Sequence, residues 1–109
     1  MASISPPHLV KDASDKQGAI FLDVRRGDEI QEASLKSRPF LHVSCTPDDC
    51  SDLMAKSDEL LPDKNAPVIV FCRSGRRAGK AKEMLELKGY TNVLNAGALT
   101  DLVNALGSD

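Results

Sequence analysis

Val68-Ile69-Val70-Phe71-Cys72-Arg73-Ser74-Gly75-Arg76-Arg77-Ala78-Gly79-Lys80 is the stretch whose reading decides the fold. It opens with an apolar, β-branched run of the kind that forms a strand buried on both faces. A short turn containing Gly75 follows, and then a segment rich in Ala, Lys, Glu and Leu that favours helix. Cys72 therefore falls at the carboxyl end of a strand, just before a helix amino terminus. In open α/β sheets that edge is where ligands bind, and the first helical N–H groups have no intrahelical partner there. Helix amino termini and neighbouring cations hold cysteine sulfur as thiolate, so Cys72 reads as a standing nucleophile backed by Arg73, Arg76 and Arg77. The competing reading is a buried core cysteine, which gives the three arginines no purpose.

Working outward, Ala19-Ile20-Phe21-Leu22-Asp23-Val24 predicts a second short strand, and Arg25 and Arg26 end it. If both strands end on the same side of a parallel sheet, five arginines surround one cleft, which would attract a small anion. Asp23 interrupts the apolar run and reads as a carboxylate accepting N–H groups at the strand end. Arg25 has two open readings, contact with substrate or pairing with an acid such as Glu29.

Ser5 as N-cap with Pro6 at the first helical position predicts an opening helix, with Leu9, Val10 and Ala13 on one face and Gly18 in the turn after it. Arg26 to Leu35 reads as a short helix or helical turn, and Phe40 to Cys45 as a strand. Thr46-Pro47-Asp48-Asp49 resembles a capping-box helix start, with Cys50, Leu53, Met54, Ser57, Leu60 and Leu61 recurring at helical spacing behind it. Ala78, Ala81, Met84 and Leu85 stripe the helix after the Cys72 turn, and Gly89 ends it. Thr91 to Leu94 reads as a final strand, Asn95-Ala96-Gly97 as a turn, and Leu99, Leu102, Val103 and Leu106 as the buried face of a last helix. Strands alternating with helices imply a mainly parallel sheet of four or five strands between helical layers.

Three motifs resemble the rhodanese-like sulfurtransferases, in particular the small single-domain kind. Cys72-Arg73-Ser74-Gly75-Arg76-Arg77 is similar to the six-residue active-site loop of that family. Asp23-Val24-Arg25 with Glu29-Ile30 is similar to its amino-terminal signature, and Gly89-Tyr90 through Val93, Asn95-Ala96-Gly97 and Leu99 to its last strand and closing turn. The resemblance runs from about residue 4 to 106. It implies one three-layer α/β/α domain over residues 4–106, with residues 1–3 and 107–109 as flexible tails. It further implies a thiosulfate sulfurtransferase in which Cys72 takes the outer sulfur as a persulfide. Arg73, Ser74, Gly75, Arg76, Arg77 and Ala78 bind the donor, and Asp23 and Arg25 support the loop. Arg77 has a second reading, that of holding the loop. No metal or cofactor is implied; the partners are a small anionic sulfur donor and a small-thiol or protein acceptor, in a monomer or weak dimer. The chain departs from the family between Gln31 and Leu61, where Ala33-Ser34-Leu35 and Arg38-Pro39 replace a Gly-His-Ile-like step and a Gly-Ala pair.

Composition agrees with a domain of this kind. The chain has 109 residues and a formal charge of −2, which gives no reason to expect nucleic acid or an anionic membrane as partner. Its three cysteines form neither a disulfide framework nor a zinc pattern, and read as reduced thiols. No apolar run approaches a membrane span and no secretory signal opens the chain, so the expected location is intracellular, in the cytoplasm or in an organelle after removal of a targeting peptide. His42 invites a Cys–His pair, but no cysteine-protease signature surrounds Cys72.

Other chemistries fit less well. A Cys-based phosphatase or arsenate reductase needs Cys-x5-Arg, and Ala78 stands where its arginine would be. A P-loop needs four residues between the glycines and a Ser or Thr after the lysine; here three separate Gly75 from Gly79, and Ala81 follows Lys80. A non-catalytic rhodanese-like binding module is the remaining alternative, although such modules commonly lack the cysteine.

Overall fold

A computed structural model describes residues 3–107, so Met1, Ala2, Ser108 and Asp109, all within the expected tails, lie outside the described residues. In chain order the elements are α1 (Pro7–Ser14), β1 (Ile20–Asp23), α2 (Gly27–Glu32), β2 (Leu41–His42), α3 (Ser51–Leu60), β3 (Val68–Cys72), α4 (Arg76–Leu87), β4 (Val93–Ala98) and α5 (Leu99–Leu106). The four strands form one sheet in the order β2-β1-β3-β4, parallel at every pairing, as the alternation of strands and helices predicts.

The Val68 stretch occupies an inner position because it can bury both faces: every residue of β3 is buried. Period-two alternation sends Val68, Val70 and Cys72 to one side with Leu53, Ala81 and Leu85 of α3 and α4. Ile69 and Phe71 go to the other side with Val10 and Ala13 of α1 and Leu102 and Leu106 of α5. Each large side chain so buried contributes about 1.5–3 kcal/mol over an exposed one. Parallel pairing of Asp23 with Phe71 brings the carboxyl ends of β1 and β3 to one edge. Among the described residues no helix is long and apolar enough to cross a membrane.

Several boundaries depart from expectation. The first helix begins at Pro7 because Pro6, which precedes a proline, is held extended at ψ 142°. Ser5 is not its cap: its N–H donates to the Asn95 carbonyl at 2.8 Å, and its Oγ accepts the Asn95 N–H at 3.2 Å. Leu9 faces out. Beyond two residues of β2 the chain still follows β1, with the Val43 N–H on the Asp23 carbonyl and the Cys45 N–H on the Val24 carbonyl.

Thr46 to Asp49 forms a turn rather than a helix start. Thr46 Oγ1 accepts the Asp49 N–H at 2.9 Å, and the Asp49 carboxylate then accepts the Ser51 N–H at 2.8 Å, so α3 starts at Ser51. The turn folds its ends together, and Cys45 and Cys50, expected as reduced thiols, are joined in a disulfide with their Cα atoms 4.7 Å apart. Asn95-Ala96-Gly97, expected as a turn, lies inside β4. A register shift opposite Val70 and Cys72 lets the strand run on until Ala98 pairs with Cys72.

Candidate active site

Three residues separate Cys72 at the end of β3 from Arg76 at the start of α4, and the middle of the problem is how the chain reverses so quickly. Gly75 solves it by taking φ 92°, a left-handed conformation that a side chain resists. A Cβ there would also stand 2.9 Å from Cδ1 of Ile4. The reversal turns the first amides of α4 back on the sulfur: the Gly75 N–H donates to Cys72 Sγ at 3.0 Å and the Ala78 N–H at 3.4 Å. No side-chain oxygen caps α4. The cysteine sulfur thus takes the place that a serine or aspartate oxygen takes at an ordinary N-cap, and receives the positive end of the helix as well.

Cys72 is fully buried. Its sulfur is shut in the interior, but the Gly75 and Ala78 amides face it. At the rim, Arg73, Ser74 and Arg76 are exposed. Arg73 and Arg76 form no ion pair among the described residues.

The other arginines are committed elsewhere, which corrects the picture of five around one cleft. Arg77 makes a two-pronged bond to Glu29, Nη1 to Oε1 at 2.7 Å and Nη2 to Oε2 at 2.9 Å. Glu29 is buried at the start of α2, where its carboxylate also accepts the Arg26 N–H at 3.0 Å. The Arg77 bonds, helped by that N–H against the opposing effect of burial, hold the Glu29 carboxyl well below its usual range, at about 2. In return Glu29 raises Arg77 above its ordinary value, with smaller contributions from the charges of Cys72 and Asp23. The Arg77 guanidinium is thus engaged by Glu29.

Arg25 is buried and clamps Asp23, with Nη2 to Oδ2 at 2.8 Å and the Arg25 N–H on Oδ1 at 2.9 Å; its Nη2 also donates to the Ala33 carbonyl at 2.8 Å. Its partner is Asp23, not the Glu29 carboxylate, and it does not reach the rim. His42 bonds the Arg25 carbonyl through Nε2 at 2.7 Å and makes no pair with Cys72. Ala78 is buried and contributes its N–H rather than its side chain. Among the described residues no group of three or more His, Cys, Asp or Glu is gathered in metal-binding fashion.

Two residues of this arrangement escape the sequence reading. Glu29 stands in the sequence as part of the amino-terminal signature and as a partner for Arg25, because spacing along the chain cannot show that Arg77, 48 positions away, reaches it. Asn95 is fully buried, and its Nδ2 donates to the Gly75 carbonyl at 3.0 Å. Its signal was an amide inside an apolar run, between Leu94 and Ala96, a position asparagine seldom fills in strands.

Comparison with known proteins places these features in context. The rhodanese-like domain family matches residues 6–98. The chain is similar to thiosulfate sulfurtransferase PspE of Escherichia coli (strain K12), 55% identical over 42 residues, which is 38% of this chain and 40% of that protein. The similarity therefore spans less than half of PspE. It is also 30% identical over 95 residues to rhodanese domain-containing protein CG4456 of Drosophila melanogaster, covering 78% of this chain and 81% of that one. Among solved structures, a rhodanese with anions from E. coli matches with a TM-score of 0.61 at 32% identity, over 76% of this chain and 89% of the other.

Proposed function

This chain belongs to the rhodanese-like domain family, and on that footing we propose that it is a thiosulfate sulfurtransferase working through a persulfide on Cys72. The observation that carries the reading is the pair of amide donors on Cys72 Sγ, with Arg73 and Arg76 exposed at the rim. Donors aimed at an atom that carries negative charge before and after reaction stabilise both states without reorganising.

In the first half-reaction the Cys72 thiolate attacks the outer sulfur of thiosulfate. A new S–S bond forms, the bond to the sulfonate sulfur breaks, and sulfite leaves with its electron pair. In the second, cyanide or a thiolate attacks the outer sulfur of the persulfide and Cys72 leaves as thiolate. The persulfide is itself an anion, so the Gly75 and Ala78 amides serve it too. Arg73 and Arg76 meet the sulfonate oxygens. Ser74, also exposed, donates to the persulfide. Arg77 with Glu29, and Arg25 with Asp23, keep the loop in shape and do not touch the donor.

The kinship with PspE and with the E. coli rhodanese supports sulfur transfer over a binding-only module. The test is mass spectrometry of the intact protein after thiosulfate treatment. A gain of one sulfur atom, mapped to the peptide bearing Cys72 and removed by cyanide, is the expected result. Wild-type protein that never acquires it overturns the reading.

A further inference from the structure

Gly75 has little of its own to fix it. It lacks a side chain, sits at φ 92°, and belongs to a three-residue turn, yet its N–H must point at Cys72 Sγ for the cradle to exist. Its carbonyl is where it is held. That oxygen accepts the Gly79 N–H at 2.8 Å, the first bond of α4, and the Asn95 Nδ2 at 3.0 Å from across the sheet edge. The first partner moves with the helix; the second is anchored in β4.

Asn95 is anchored with unusual thoroughness for a strand residue. Its Oδ1 accepts the Gly97 N–H at 2.9 Å, which decides that the amide's NH2 end, not its oxygen, faces Gly75. Its backbone is stitched to Ser5 in both directions. Register shift in β4 sets this up, since Ala98 rather than Gly97 comes to pair with Cys72. An apolar residue would fill the same buried site without any amide to satisfy.

We propose that Asn95 is a positioning residue for the sulfur cradle, fixing Gly75 so that its N–H stays directed at Cys72 Sγ. The inference deepens the sulfur-transfer reading and relies on it only for its kinetic readout.

The test uses Asn95→Ala and Asn95→Asp in the full chain, each checked for folding by circular dichroism and assayed well below its melting temperature. The aspartate variant keeps the shape and an oxygen for the Gly97 N–H, but turns an acceptor instead of a donor toward Gly75. Two quantities are read: the pH profile of Cys72 alkylation by iodoacetamide, and thiosulfate-to-cyanide sulfur transfer. Loss of an aimed N–H should move the alkylation midpoint up by about one pH unit. It should lower kcat about tenfold while KM for thiosulfate stays within about twofold, because Arg73 and Arg76 are untouched. A folded variant with midpoint and kcat both unchanged makes Asn95 core filling and overturns the proposal, as does failure of both variants to fold. If wild-type protein transfers no sulfur, the functional reading fails, whereas the alkylation profile still decides the role of Asn95.

Discussion

Two segments at the same edge of the sheet carry cysteine into a helix, Cys72 alone in one and Cys45 with Cys50 in the other, and they treat the sulfur in different ways. After β3 the helix amides have no side-chain oxygen to receive them, so two of them turn to Cys72 Sγ. After β2 side-chain oxygens serve the loop itself: Thr46 Oγ1 accepts the Asp49 N–H ahead of the helix, and the Asp49 carboxylate accepts the Ser51 N–H at its first residue. Charge follows the same division. Arg73, Arg76 and Arg77 surround the first loop, Asp48, Asp49 and Asp52 the second. The charge around the two loops is thus opposite in sign, and in the second Cys45 pairs with Cys50. The two loops differ in what their sulfur meets, helix amides at Cys72 and a second sulfur at Cys45.

The largest effect expected from that contrast separates the two loops outright. Cys72→Ser should leave the fold in place and abolish persulfide formation and sulfur transfer. Replacing Cys45 and Cys50 together with serine should do the reverse. Opening the short loop they close should lower stability by about 2 kcal/mol on the chain-entropy account, with transfer per folded molecule retained. Urea denaturation and the cyanide assay, run side by side on both variants, measure this. Transfer that vanishes with the Cys45–Cys50 pair, or survives loss of Cys72, would break the distinction.

A smaller effect tests how the Cys72 loop is held from behind. Removing one partner of the Glu29–Arg77 pair leaves a largely buried charge alone, and Arg77→Ala should cost about 3 kcal/mol of stability. The pH dependence has a definite sign. The Glu29 carboxyl lies at about 2 in the folded protein, below the unfolded carboxylate value. Its stabilisation is therefore complete above about pH 4.5 and is lost as pH falls toward 2. Wild type and Glu29→Gln should differ most near neutral pH and converge in acid. Parallel stability curves across that window would show that the pair does not hold the loop.

The sheet was legible because β3 is an uninterrupted apolar run and the helices carry clear stripes; periodicity reports burial directly. The motif at Cys72 was legible for a different reason, since a cysteine, a glycine and three arginines crowd a single turn. What the chain hid was allocation. Arg25, Arg73, Arg76 and Arg77 look alike in sequence, but Arg25 closes on Asp23 two residues back, Arg77 on Glu29 48 positions away, and Arg73 and Arg76 form no ion pair among the described residues. The second loop misled in its own way. Thr46 and Asp49 have the spacing of a capping box, and both do cap amides, but of a turn that delays the helix to Ser51. Asn95 and Gly97 were read as turn residues by type, whereas the register shift places them in β4.

The smallest effect on the fold carries the finest distinction, between arginines of the same loop. Arg76 is exposed and bonds nothing among the described residues, so Arg76→Ala should change stability by no more than about 0.5 kcal/mol. Thiosulfate is a dianion, and loss of one rim charge should raise its KM about fivefold, equivalent to about 1 kcal/mol, with kcat unchanged. Because Arg76 acts through solvent-exposed charge, the gap between variant and wild type should narrow as salt rises and the screening length shortens. Arg77→Ala should show the opposite signature, a fall in stability with no salt-dependent change in KM, since its guanidinium is spent on Glu29. An Arg76→Ala variant whose KM matches wild type at low salt would leave Arg73 as the donor's contact and take Arg76 out of the rim site.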